Sequence, residues 1–187
     1  MKWGARTPRS GWQAFYTGQR QSVSHLADRM RVTVYLPPLG DMAASAERES
    51  FFAEVSSAGH WLRLWHFHRT APLGTLRGTP TVQAGALAGA RTLYVQGTAG
   101  ATLLGGDMLG AGGLLLQVGY AGCVADGSGV MAVPLALPLL TALSAAAAVT
   151  WFRPTGDFEV VAQDPTADYA VGSVQQGMQI ELAQVLT

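Results

Sequence analysis

The sequence predicts a mainly β protein, a β-sandwich or barrel, with one main α-helix at about residues 41–58 and an extended N-terminal arm. Three observations lead there. Short apolar runs, Leu93-Tyr94-Val95, Leu103-Leu104, Leu114 to Val118 and Val130 to Val133, recur between glycine-rich turns, the spacing of a sandwich or barrel. Only the stretch after Asp41 places apolar residues at helical intervals. At 187 residues the chain suits one main domain, which at this size buries about 70% of its unfolded surface.

Taken in order, residues 1–30 show no helical or strand period, yet they hold Trp3, Trp12, Phe15 and Tyr16. Disordered tails are poor in aromatics, so these four are expected to anchor the arm on a neighbouring subunit. A single β-rich domain at 31–187 follows, with a candidate sub-module at 100–165. Arg31 to Leu36 is β-branched and aromatic, and Pro37-Pro38 ends it as a strand by removing two donors. Asp41 can cap a helix that turns Ala43, Ala46, Phe51, Val55 and Ala58 inward and Glu47, Arg48 and Glu49 outward, with Gly59 as the stop.

Trp61 to His68 is a strand-like octet, with Trp61, Trp65 and Phe67 on one face and His66 and His68 on the other. Pro72, Gly74, Gly78 and Pro80 then mark a loop. From Gly127 to Trp151 there is no charge, long enough to cross a bilayer as a helix. Pro134 and Pro138 argue against one, so the run is expected to be core: a strand, then a short buried helix or loop at Leu135 to Ala146, then an extended Val149 to Arg153. Val118, Val149 and Trp151 are expected in the core, and Met178 to Leu186 closes the fold as a strand.

Composition narrows the function classes. Twelve basic and twelve acidic residues cancel, and the basic ones are scattered, which is not the footprint of a nucleic-acid binder. Charged residues make up 13% and hydrophobic ones 49%, too little charge to cover a monomer's surface, so apolar surface is expected to meet other subunits. One cysteine, Cys123, allows no internal disulfide, and Arg6, Arg9 and Arg20 interrupt any signal-peptide core, so synthesis in a cytoplasm is expected.

No constellation asks for catalysis. His66 and His68 share the spacing of metal sites on β-strands, but residues 69–85 supply no Asp, Glu or His to complete one, so no metal is expected. Cys123 lacks a basic neighbour and reads as a small buried hydrophobe. Asp107, Asp126, Asp157, Asp164 and Asp168 sit in turn contexts where a short carboxylate bonds the backbone. The glycine pairs near 105 and 112 lack the Lys-Ser/Thr of a phosphate loop. No catalytic or cofactor-binding residue is therefore assigned.

A longer pattern carries a resemblance: Gly106-Asp107-Met108-Leu109, Leu114 to Val118, Ala125-Asp126-Gly127-Ser128-Gly129, Val133-Pro134-Leu135, and Val149-Thr150-Trp151-Phe152-Arg153-Pro154 with Phe158. In this order the motifs resemble the distal and minor tail proteins at the tail tip of long-tailed, siphovirus-like bacteriophages, over about residues 30–165. The resemblance implies a tail-tube-like β fold and a non-enzymatic virion protein made in the host cytoplasm. It further implies a homo-oligomeric, sixfold ring that joins the tail tube to the baseplate hub or host-recognition apparatus, without membrane span or direct nucleic-acid contact. The long aromatic arm and the Ala145 to Ala148 run depart from the family pattern and leave the particular ring open. The residues also admit a small β-barrel that binds a ligand or carbohydrate as a receptor-binding module, stacking sugars on Trp61, Trp65 and Tyr94. A third reading is an HxH metalloenzyme resting on His66 and His68.

Overall fold

In a computed structural model the described residues are 2–6, 9–13, 20–24, 29–57, 60–161, 169–170, 174–175 and 177–185. They form a mainly β protein with one helix, as expected. In chain order the strands are β1 (Lys2–Arg6), β2 (Arg9–Gln13), β3 (Arg20–Ser24) and β4 (Arg29–Leu36), followed by helix α1 (Met42–Val55). Then come β5 (Leu62–Trp65), β6 (Thr81–Val82), β7 (Thr92–Gln96), β8 (Thr102–Leu103), β9 (Met108–Ala111) and β10 (Leu114–Gln117). The remainder are β11 (Cys123–Val124), β12 (Val130–Pro134), β13 (Val149–Thr150), β14 (Thr155–Val160), β15 (Tyr169–Ala170), β16 (Val174–Gln175) and β17 (Met178–Gln184).

The chain divides into two compact units, and the first comprises residues 1–4, 30–64 and 157–185. Its sheet runs β1-β4-β17-β14-β5. Strand β17 lies antiparallel to β4, Met178 opposite Leu36 through Ala183 opposite Arg31, and alternation sends Val32, Ile180, Leu182 and Phe158 into the interior. Arg63 and Asp157 join β5 to β14 by a two-pronged ion pair at 2.8 and 3.2 Å. The segment expected as an arm contains β1 to β3, and β2 and β3 form a hairpin with Arg9 opposite Ser24 and Gln13 opposite Arg20.

Helix α1 starts as expected. The Asp41 carboxylate accepts from the Ala43 and Ala44 amides at 3.2 and 3.3 Å, a side-chain N-cap. The buried face differs from the expectation. Val55 is buried as expected, but its buried companions are Ser45 and Phe52, whereas Ala43, Ala46 and Phe51 are exposed and Ala58 lies outside the described residues. Neighbouring positions on a helix diverge by about 100°, so Phe51 and Phe52 cannot both face inward. Selecting Phe52 brings the small Ser45 with it two turns earlier. Gly59, the expected stop, lies outside the described residues.

The second unit comprises residues 5–29, 65–156 and 186–187. Its core is a continuous apolar cluster that includes Leu76, Leu93, Val95, Leu103, Leu109, Met131 and Val133. Three small antiparallel sheets supply it: β12-β7-β6, β10-β9-β13 and β11-β8. Along β7 and β12 the alternation is regular, with Leu93, Val95, Met131 and Val133 inward and Tyr94 outward. Every residue of β9 is buried because it is the middle strand of its sheet, and a Cβ at its Gly110 would lie 3.1 Å from the Thr155 carbonyl.

The uncharged run from Gly127 to Trp151 contributes Met131, Val133, Leu135, Leu139, Leu143 and Val149 to the core, and no helix among the described residues is long and apolar enough to cross a membrane. Leu135, Leu139 and Leu143 are buried at intervals of four, but in a loop, not a helix. Pro134 and Pro138 withhold amides, so the loop bonds sideways instead. Leu139 N donates to Ala90 O at 2.9 Å and Leu143 N to Ala86 O at 2.8 Å. Val118 and Val149 are buried as expected; Trp151 and Cys123 are only half-buried. Burial, above all, raises the Cys123 thiol pKa.

Candidate functional site

The expected anchors divide by position. Trp3 is half-buried within the first unit, its ring edge-on to Phe158 at 5.9 Å and 82°. Trp12 lies on β2 with its side chain outside the described residues, and Phe15 and Tyr16 lie outside them altogether.

The histidine pair needs correcting. The strand ends at Trp65, and the backbone closes a turn in which Arg69 N donates to His66 O at 2.9 Å. His66 and His68 are therefore not two strand positions on one face; their rings meet at 6.3 Å and 67°. Burial lowers the His66 pKa, and the nearby Arg69 charge adds to the effect. Among the described residues, no three His, Cys, Asp or Glu side chains gather as a metal would require.

Two of the turn aspartates are architectural. Asp107 is 3% exposed, and its carboxylate accepts from Leu73 N at 2.8 Å, Gly74 N at 3.1 Å and Leu104 N at 2.8 Å. It thus pins the loop before β6 to the turn before β9. Gly106, at φ +89°, supplies the left-handed backbone this turn needs, and the Arg69 guanidinium donates to its carbonyl. Asp126 closes an Asx turn, accepting from Ser128 N at 2.9 Å, Ser128 Oγ at 2.7 Å and Val130 N at 2.9 Å. The Ser128 side chain, then the Val130 amide, hold its pKa below the usual carboxylate value.

One surface feature of the second unit combines aromatic rings with guanidinium groups. Phe67 and Trp65 meet at 4.9 Å between ring centres, tilted by 49°. The Arg153 guanidinium lies 5.2 Å over Trp65 and 5.4 Å over Phe152. Phe152 meets Trp151 at 5.9 Å, and the Arg77 guanidinium covers Trp151 at 4.9 Å. The result is a strip in which pairs of aromatic rings are each followed by a guanidinium group. Phe67 and Phe152 are 44% and 53% exposed. Each stacked cation is worth about 0.5–1 kcal/mol at such sites.

The two arginines differ in how they are used. Arg77 donates to the carbonyls of Leu76 at 2.6 Å and Gly74 at 3.0 Å, so its role is internal. Trp151 is held too, its indole N–H donating to Gly78 O at 2.9 Å. The Arg153 guanidinium, by contrast, makes no hydrogen bond or ion pair among the described residues and is clasped only by rings. Its backbone sits at φ +44°, a conformation costing a non-glycine residue roughly 1 kcal/mol. The bond from Arg153 N to Thr70 O at 2.6 Å, and the buried Pro154 after it, keep it there.

Arg153, Phe152 and Arg77 were not among the residues expected from sequence to carry function. The available signal was the run Trp151-Phe152-Arg153-Pro154, an arginine beside two aromatics where an extended segment ends. The strip can hold carboxylates or phosphates by a planar, pre-oriented fork of N–H donors and can bury aromatic edges. No protein-family model matches the chain, and no curated protein matches it.

Proposed function

We propose that this protein is a non-enzymatic structural subunit of a phage tail tip, forming a ring between the tail tube and the baseplate or host-recognition apparatus. The observation that carries the reading is the strip of exposed Phe67, Arg153 and Phe152 around half-buried Trp65. Aromatics and arginine are the residue types enriched at the centres of protein interfaces. Support also comes from the resembling motifs themselves: Asp107, Asp126 and Gly106 hold turns, as shape residues of a scaffold would. In this reading the virion is where the chain works, copies of itself are its first partners, and it does no chemistry.

A carbohydrate-binding module is the second reading, and the exposure of Tyr94, at 48%, favours it. Trp65 weakens it, because Arg153 already covers a face of the indole that a sugar would need. Gold-labelled antibody against the chain, applied to tailed particles induced from the source bacterium, tests the proposal. Label at the distal end of the tail is expected; particles that never bind the antibody would overturn it.

A further inference from the structure

Resting on the ring reading, we infer that the Arg153 strip is one half of a head-to-tail contact whose other half is the exposed stripe Glu47, Phe51 and Glu54 on α1 of a second copy. A ring of more than two copies needs a heterologous interface, in which two different patches of the chain meet. Both patches are present, and they are complementary.

On one side stands a cation between two rings. Arg153 is fixed by Trp65 and Phe152 and has no acid among the described residues to neutralise it. On the other side stands an aromatic between two acids. Positions 47, 51 and 54 are spaced i, i+4 and i+7, so they share one stripe of the helix. Phe51 is 46% exposed, and neither Glu47 nor Glu54 has an ion-pair or hydrogen-bonded side chain among the described residues. On one flank of this stripe the helix shows the small Ala43, Ala46, Ser50 and Ala53, and on the other Arg48, whose guanidinium donates to Pro37 O at 2.7 Å.

The chemistry matches in detail. A guanidinium takes a carboxylate by two parallel N–H···O bonds, and the contacts with Trp65 and Phe152 already favour one placement of Arg153, so less side-chain freedom is lost on docking. Phe51 can then set its edge against Phe152. The Arg153 backbone, at φ +44°, is held by its amide donating to Thr70 O, and its guanidinium lies over Trp65 and Phe152.

Charge exchange tests the pairing. Sedimentation of the full chain compares wild type, Arg153→Glu, the double variant Glu47→Arg/Glu54→Arg, and an equimolar mixture of the two variants. Each variant alone should dissociate at least tenfold more readily than wild type. The mixture should recover most of that loss, because every contact in it again joins opposite charges. Wild type that assembles while Arg153→Glu assembles equally well would overturn the pairing and leave the ring reading standing. A mixture that recovers nothing would overturn it too. Wild type of single-chain mass at every concentration would remove the ring reading, and the pairing with it. An oligonucleotide that binds wild type but not Arg153→Glu, without any change in mass among the variants, would make phosphate the occupant and overturn the pairing. Because Arg153→Glu can disturb the local backbone, a second variant places cysteines on exposed positions only, Phe51→Cys with Phe152→Cys in a Cys123→Ser background. Mild oxidation should yield disulfide-linked multimers, and a product of single-chain size alone would overturn the contact.

Discussion

Replacing Asp107 by alanine should be the most damaging single polar substitution in the second unit. Its carboxylate is buried and accepts three backbone amides, from Leu73, Gly74 and Leu104, at 2.8, 3.1 and 2.8 Å. A hydrogen bond to a charged group contributes about 1.5–3 kcal/mol, and an amide left buried without an acceptor costs about 1–3 kcal/mol. Three such bonds share one carboxylate and are not additive, and the exposed Leu73 side of the loop can admit water, so a loss of about 4 kcal/mol is expected. Asparagine keeps one oxygen; set at the Oδ2 position it retains Gly74 and Leu104 and turns its amide toward Leu73, for a loss of about 2 kcal/mol. For a chain of this size each kcal/mol lowers Tm by about 2–4 °C. Urea unfolding followed by tryptophan fluorescence should place the midpoints in the order Asp, Asn, Ala. An alanine variant within about 1 kcal/mol of wild type would refute the claim that Asp107 ties these loops together.

Three smaller effects follow. Trp151→Ala should cost about 2–3 kcal/mol in chemical denaturation, below the value for a fully buried tryptophan, since Trp151 is only partly buried against the core; the losses include the bond to Gly78 and the contact with Arg77. Asp41→Ala should cost about 1 kcal/mol by removing the cap of α1, read as reduced helical circular dichroism on mild heating; an unchanged melt would contradict the capping geometry. The folded pKa of Asp126 is depressed below its unfolded value, so its turn contributes stability above the ordinary carboxylate range and loses it as pH falls through the folded pKa. Amide shifts of Ser128 and Val130 should therefore titrate at lower pH than a free aspartate, and titration at or above the free value would contradict the Asx turn.

Much of the fold was legible because its signals are local. Asp41 begins the helix with a side chain of the right length, and glycine-rich turns separate β7, β8, β10 and β12 near the expected apolar runs. The misreadings have physical causes as well. The octet Trp61 to His68 has strand composition throughout, but the chain leaves the sheet after Trp65 and turns, which composition does not record. For Leu135 to Ala146 helix and loop were both open, and the stretch is a loop tied to Ala86 and Ala90. Two adjacent phenylalanines left the phase of α1 ambiguous, and the tertiary fold selected Phe52. The arginine strip was invisible because Trp65 and Arg153 are distant in sequence, and a stacked cation leaves no periodic trace.

The central claim is that copies of this chain join through a repeating head-to-tail contact, and electron images of the purified protein at high concentration test it most directly. Class averages should show closed rings of a single rotational symmetry, expected to be sixfold. Particles of single-chain size at every concentration, with no ring in any class, would contradict it.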